Sequence, residues 1–131
     1  MTINLEPKEA EGLFHAALCN GASYLAGYGL KLDYDQEYRD RAKAAWKLST
    51  PDRTMCLEDV WLGILKEGGT LKFIDEGYDG RYSKDIVLKD VHDRVQLTPH
   101  NHLMDMINDK DDAITADCIL QTVIFEKVVF S

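Results

Sequence analysis

Apolar positions recur at steps of three and four from residue 7 to residue 27. Ala10, Leu13, Phe14, Ala17, Leu18, Gly21 and Leu25 would share one face of a helix. Pro7 suits its first turn, Glu9 and Glu11 suit the positive end of its dipole, and Gly27 and Gly29 mark its end. Small residues on this face would let a neighbouring element pack closely. Alternation then takes over, and Tyr28 to Tyr34 reads as a short strand. Asp35 is placed to cap a charged second helix, Gln36 to Leu48, with Tyr38, Ala42, Ala45 and Trp46 inward and Ser49, Thr50 and Pro51 as its end. A third helix is expected over 56–67, on the stripe Leu57, Val60, Trp61, Ile64 and Leu65, with Gly68 and Gly69 as the stop.

Two strands follow, Thr70 to Asp75 and Arg81 to Leu88, and EGYDG between them has the glycines and aspartate of a hairpin turn. Asp90 is expected to open a helix with Val91, Val95 and Leu97 inward. Pro99 ends it, and residues 100–108 form a short helix on Leu103, Met104 and Ile107. A polar loop, NDKDD, leads to a last helix over 113–125 and an extended tail. The expected fold is α+β: one domain over 1–131, with several helices packed on a small antiparallel sheet that includes the 70–88 hairpin.

The end of the chain breaks the amphipathic pattern. Ile114, Ile119, Leu120, Val123, Ile124, Phe125, Val128, Val129 and Phe130 cannot share one face. Such a helix either threads the core centre or completes an interface between copies. In so short a chain the reading leans to the interface, hence to a homo-oligomer formed through this segment, with a two-fold dimer as the default.

Composition narrows the function classes. The chain has 131 residues, 45% hydrophobic and 29% charged, enough to build a core without disulfides or metal. With 23 acidic and 15 basic residues, the net charge is −8, which disfavours direct binding of duplex nucleic acid. Three widely spaced cysteines, Cys19, Cys56 and Cys118, with no CxxC, read as buried thiols in a reducing compartment. The first residues lack a signal-peptide pattern, and no apolar run reaches membrane-spanning length, so the cytoplasm is the expected location.

The stretch EDVWLGILKEGG, from Glu58 to Gly69, followed by TLKFID, resembles small open reading frames of phages, prophages and other mobile elements of gut bacteria. So does the run from DVHDRV through HLMDMINDKDDAITADCILQTVIFEKVVF. The resemblance covers about the last two-thirds of the chain. It carries no established activity and assigns no catalytic residue. It implies a protein that binds a host molecule and blocks it, in the host cell cytoplasm.

Three patterns of polar residues have a candidate chemistry beside the plain reading of solvated surface. His92, His100 and His102 fall close together, with Asp93 and Asp105 nearby, and a metal-dependent enzyme is the corresponding alternative. HxH across a proline-led turn is a poor ligand spacing, and helix-end histidines in solvent explain it better. His15, alone in the first helix, reads as structural. Asp105, Asn108, Asp109, Asp111, Asp112 and Asp117 do not fall in calcium-loop register, and Asp111 or Asp112 serves better as a helix cap. No nucleophile elbow and no phosphate-binding glycine motif occurs, so neither an enzyme nor a resident cofactor is expected.

The remaining candidate is an anion pocket of Arg81, Tyr82, Lys84 and Arg94, where a ring stacks a base and guanidinium groups hold phosphate. Tyr24, Tyr28, Tyr34 and Lys31 add rings and charge near the first helix end. The sequence therefore points to a non-enzymatic protein that sequesters a small anionic nucleotide signal of the host, such as a cyclic nucleotide, and so counters host defence. An acidic inhibitor that blocks a host protein surface is the other binding alternative.

Overall fold

Helix α1, Pro7–Gly27, begins as its composition demands. Pro7 occupies the first turn, and the Glu9 carboxylate accepts the free N–H of Glu6 at 3.0 Å. Ala10, Phe14, Ala17, Leu18, Gly21 and Leu25 form its buried face. A computed structural model describes residues 4–110 and 112–130. Within them α1 is followed by β1, Leu30–Asp33, then α2, Gln36–Ser49, and α3, Leu57–Lys66. Next come β2, Leu71–Asp75, β3, Lys84–Ile86, and α4, Leu88–Arg94, continued by a 3-10 turn over Val95–Leu97. Helices α5, His100–Ile107, and α6, Ala113–Phe125, complete the order. The α+β expectation stands: helices pack on one three-stranded antiparallel sheet in the order β1-β2-β3.

The sheet pairs Leu32 with Phe73 and Leu71 with Ile86. Along β2 the pleat buries Leu71, Phe73 and Asp75 and turns Lys72 and Ile74 outward. The second hairpin strand is shorter than its pattern suggests, three residues instead of the Arg81–Leu88 run. Asp75 is the reason. Its carboxylate accepts the backbone N–H groups of Gly77 at 2.8 Å, Tyr78 at 2.8 Å and Tyr82 at 3.0 Å, and its own N–H donates to Ser83 Oγ at 2.9 Å. These bonds gather 76–83 into a loop that competes with strand pairing. At the far end Asp90 does not open α4 but sits inside its first turn, where it accepts the Val87 N–H at 2.9 Å, so the helix starts at Leu88.

Burial pushes the Asp75 carboxyl upward, but the three backbone donors outweigh it and hold it below the usual carboxylate range. A group depressed in the folded state stabilises the fold above its unfolded pKa of about 3.9, and loses that contribution as pH falls through the folded value. Asp75→Asn is therefore expected to lower Tm clearly at neutral pH. The gap between parent and variant should close on acidification below about pH 4. A gap that persists unchanged at pH 2, measured by thermal circular dichroism, would refute this role for the carboxylate.

Helix α6 occupies the core centre. Asp112 caps it, accepting the Thr115 N–H at 2.8 Å; Asp111, the other expected cap, lies outside the described residues. Every residue from Thr115 to Ile124 is buried. One face meets α1 and others meet α4, α5 and β3. Its all-round apolar character is thus accounted for inside a single chain, without a second copy. The α1 contact is close because of Gly21: a Cβ there would lie 2.9 Å from Ala116 Cβ and 3.0 Å from backbone atoms. Helix α2 packs outside, through Ala42 on α3, and buries little else.

The tail after α6 is fastened back by Gln121, which is fully buried. Its Oε1 accepts the Val129 and Phe130 N–H groups at 2.8 and 2.7 Å, and its Nε2 donates to Phe130 O and Asp117 Oδ2, each at 3.0 Å. Phe130 then stacks on Tyr28 with centroids 4.5 Å apart and planes 9° apart. Among the described residues, no helix is long and apolar enough to cross a membrane.

Candidate functional site

Three places in this frame carry chemistry, and the first is the anion pocket expected near the hairpin. Arg81 and Tyr82 do meet, the guanidinium lying 5.5 Å from the ring centroid. The Tyr82 ring, however, is taken up by an aromatic cluster with Tyr78, Phe125 and Phe130, at 5.4, 6.3 and 5.1 Å. Arg94 donates to Val123 O at 3.0 Å and pairs with Asp90 and Glu126 at 3.3 and 3.4 Å. It closes the carboxyl end of α6, where a cation offsets the unpaired carbonyls, and its charge is already matched by two carboxylates. Lys84 is exposed on β3, opposite Phe73. The four residues therefore lie on connected elements, with Arg81 and Lys84 as the cations left without a carboxylate partner among the described residues.

The second is a polar line along α1. Glu11 and His15 are one turn apart, on the side facing α3 and α4. His92 Nε2 lies 2.8 Å from Glu11, and Lys66 reaches the same carboxylate at 3.8 Å. His102 bonds Thr115 at 3.2 Å, and His100 is exposed at the start of α5. Of the three histidines singled out by proximity in sequence, His92 and His102 thus bond to different elements and His100 faces solvent, and they form no common metal-binding group. Among the described residues the group able to hold a metal ion is a different one: His15, Cys56 and Asp59, whose ligand atoms all lie within 4.8 Å of one another. His15 reads as structural from its isolation, and it does tie α1 to α3, at 2.7 Å from Asp59.

The third is a cleft of about 390 Å³ between the second half of α1 and the sheet. Leu18, Ala22, Leu25 and Ala26 form the helix wall, Leu30, Leu32 and Phe73 the sheet side, and Trp61 of α3 another side. Lys31 and Glu76 complete the lining; both are exposed, and neither makes an ion pair among the described residues. The small residues of α1 divide the work. Gly21 admits α6, whereas Ala22 and Ala26, a step round the helix, leave space unfilled. Gly29, at φ +87°, turns the chain into β1 so tightly that a Cβ there would lie 3.1 Å from the Gly77 backbone. That turn holds the cleft floor against the loop bearing Glu76, whose N–H donates to Gly29 O at 2.8 Å.

The volume and lining are those of a small-molecule site: mostly apolar, with a few polar groups at its edge. Comparison of the chain with family models, curated proteins and solved structures finds no match. The likeness to mobile-element reading frames therefore stands on its quoted residues alone.

Proposed function

We propose that this protein is a non-enzymatic binding protein that sequesters a small molecule in the cleft between α1 and β1. One observation carries the reading: about 390 Å³ of apolar space, with one cation and one anion on its lining and neither paired to a charge among the described residues. An occupant with a flat apolar body gains hydrophobic burial against Leu25, Phe73 and Trp61. A single anionic group on it gains Lys31. A nucleobase-bearing monoanion meets this description, and so the nucleotide expected from the sequence is the ligand class proposed here. A polyanion suits the cleft less well, because Glu76 opposes Lys31. Action against host defence by sequestration is the biological role this reading proposes, in keeping with the mobile-element likeness.

Calorimetry against cyclic and linear mononucleotides, nucleosides and aromatic carboxylates tests the idea. Ala22→Trp, which fills the cleft from an already half-buried position, is expected to weaken binding about 100-fold or more, equivalent to some 2.7 kcal/mol. Arg81→Ala reports on the hairpin instead. Binding that survives Ala22→Trp but is lost in Arg81→Ala would move the site to the hairpin. No binding at millimolar ligand across the panel would end the proposal.

A further inference from the structure

The start of α3 holds an arrangement that ligand binding in the cleft does not use. Cys56 stands at the helix N-cap, where a hydroxyl or carboxylate side chain would stabilise the free N–H groups best. Its sulfur, a weak acceptor, faces the Asp59 backbone N–H as one arm of a capping box. The stronger arm is Asp59, whose Oδ2 accepts the Cys56 N–H at 3.0 Å and also accepts from the Cys56 thiol at 2.9 Å. The other oxygen, Oδ1, faces His15 Nε2 at 2.7 Å. One carboxylate thus lies between an imidazole nitrogen and a sulfur, contributed by two helices that pack on each other. Asp59 is almost completely enclosed, its side chain 7% exposed, while His15 is 30% exposed and Cys56 is open to solvent. The inner ligand is fixed and the outer ones are reachable.

We propose that His15, Cys56 and Asp59 form a binding site for a zinc-class divalent cation. The donor set of one nitrogen, one sulfur and one oxygen suits borderline-soft metals and disfavours calcium or magnesium, which require oxygen shells. Binding releases the Cys56 thiol proton to solvent and requires the proton shared by His15 Nε2 and Asp59 to leave as well, so that the neutral imidazole carries its hydrogen on Nδ1; the His15–Asp59 separation widens by a few tenths of an ångström, to the spacing of neighbouring ligands about a tetrahedral ion. Cys19 Sγ lies 3.9 Å from His15 Nδ1, on the far side of the ring. It is therefore placed to orient the imidazole rather than to ligate, leaving the fourth position to water.

The test uses the full chain after chelator treatment, titrated with zinc or with cobalt(II) as a coloured probe. One cobalt per chain and a thiolate-to-cobalt charge-transfer band are expected. Cys56→Ser should abolish the band while keeping the fold, since serine is the better helix cap. His15→Ala should weaken zinc binding at least about tenfold. Cys19→Ser should retain the band, and His92→Gln should leave both metals unaffected. Far-UV circular dichroism checks that each variant is folded. Absence of saturable zinc or cobalt binding would overturn the site, as would undiminished binding in folded Cys56→Ser and His15→Ala.

Discussion

Chains carrying Gln121→Ala are expected to unfold at much lower denaturant concentration than the parent, with about 3–5 kcal/mol of stability lost. The size follows from what one side chain does. Gln121 is fully buried and uses both its carbonyl and its amide, accepting from two tail N–H groups and donating to one tail carbonyl and to Asp117. Alanine leaves the tail groups without these partners, each costing about 1–3 kcal/mol where water cannot reach it, and leaves a cavity beside α6. It also frees Phe130 from its stack on Tyr28. The Tyr28 hydroxyl donates to Asp117 at 2.6 Å, and burial together with that bond pushes its own ionisation upward. Gln121→Leu separates the contributions, since it removes the hydrogen bonds with little change in volume. Urea denaturation of both variants checks the prediction. A loss under about 1 kcal/mol in each would mean that the tail is not fastened through Gln121.

On α1, alanine substitution is expected to change sign within three turns. Gly12 has nothing within 4 Å of a would-be Cβ, so Gly12→Ala should stabilise by up to about 1 kcal/mol through helix propensity alone. Gly21→Ala should destabilise despite the same propensity gain. Two of its three close contacts, at 3.0 Å, are backbone atoms of α6 that cannot turn aside. Gly21→Val adds two further methyl groups at the contact and should cost about 3 kcal/mol or more. Equal and positive effects at Gly12 and Gly21 would show that α1 and α6 can move apart without penalty.

The helices were legible in the sequence because the decisive residues are local. Pro7, Asp35, Gly68 and Asp112 each act within one turn of where they stand, and the helix bounds follow them closely. The 81–88 strand was legible only at its centre. Its first residues lie in a loop held by Asp75, whose reach across seven positions to Tyr82 leaves no periodic trace. The run 115–124 was readable as all-round burial, but the pattern alone does not say whether a neighbour or a second copy covers it.

Of the candidate sites, least was visible. His15 and Asp59 are 44 positions apart, and neither flags the other. Cys56 gave no signal either, because the helix expected over 56–67 already contained it. The cleft is lined by Leu18, Leu25 and Phe73, which read as core because they are core. What opens it is missing volume at Ala22 and Ala26, and an absence of side chain looks the same in sequence whether the space is filled by a neighbour or left open.

The pairing of α1 with α6 also has a temporal side. Synthesis delivers α1 well before α6, with about 95 positions separating Gly21 from Ala116. Until α6 emerges, the buried face of α1 has no lasting cover, and the sheet is a three-stranded patch without its central support. The native state must then close a long loop, an arrangement that slows folding relative to a bundle of neighbouring helices. A nascent chain of this kind leaves that apolar face open to chaperones and proteases throughout the interval between the two helices.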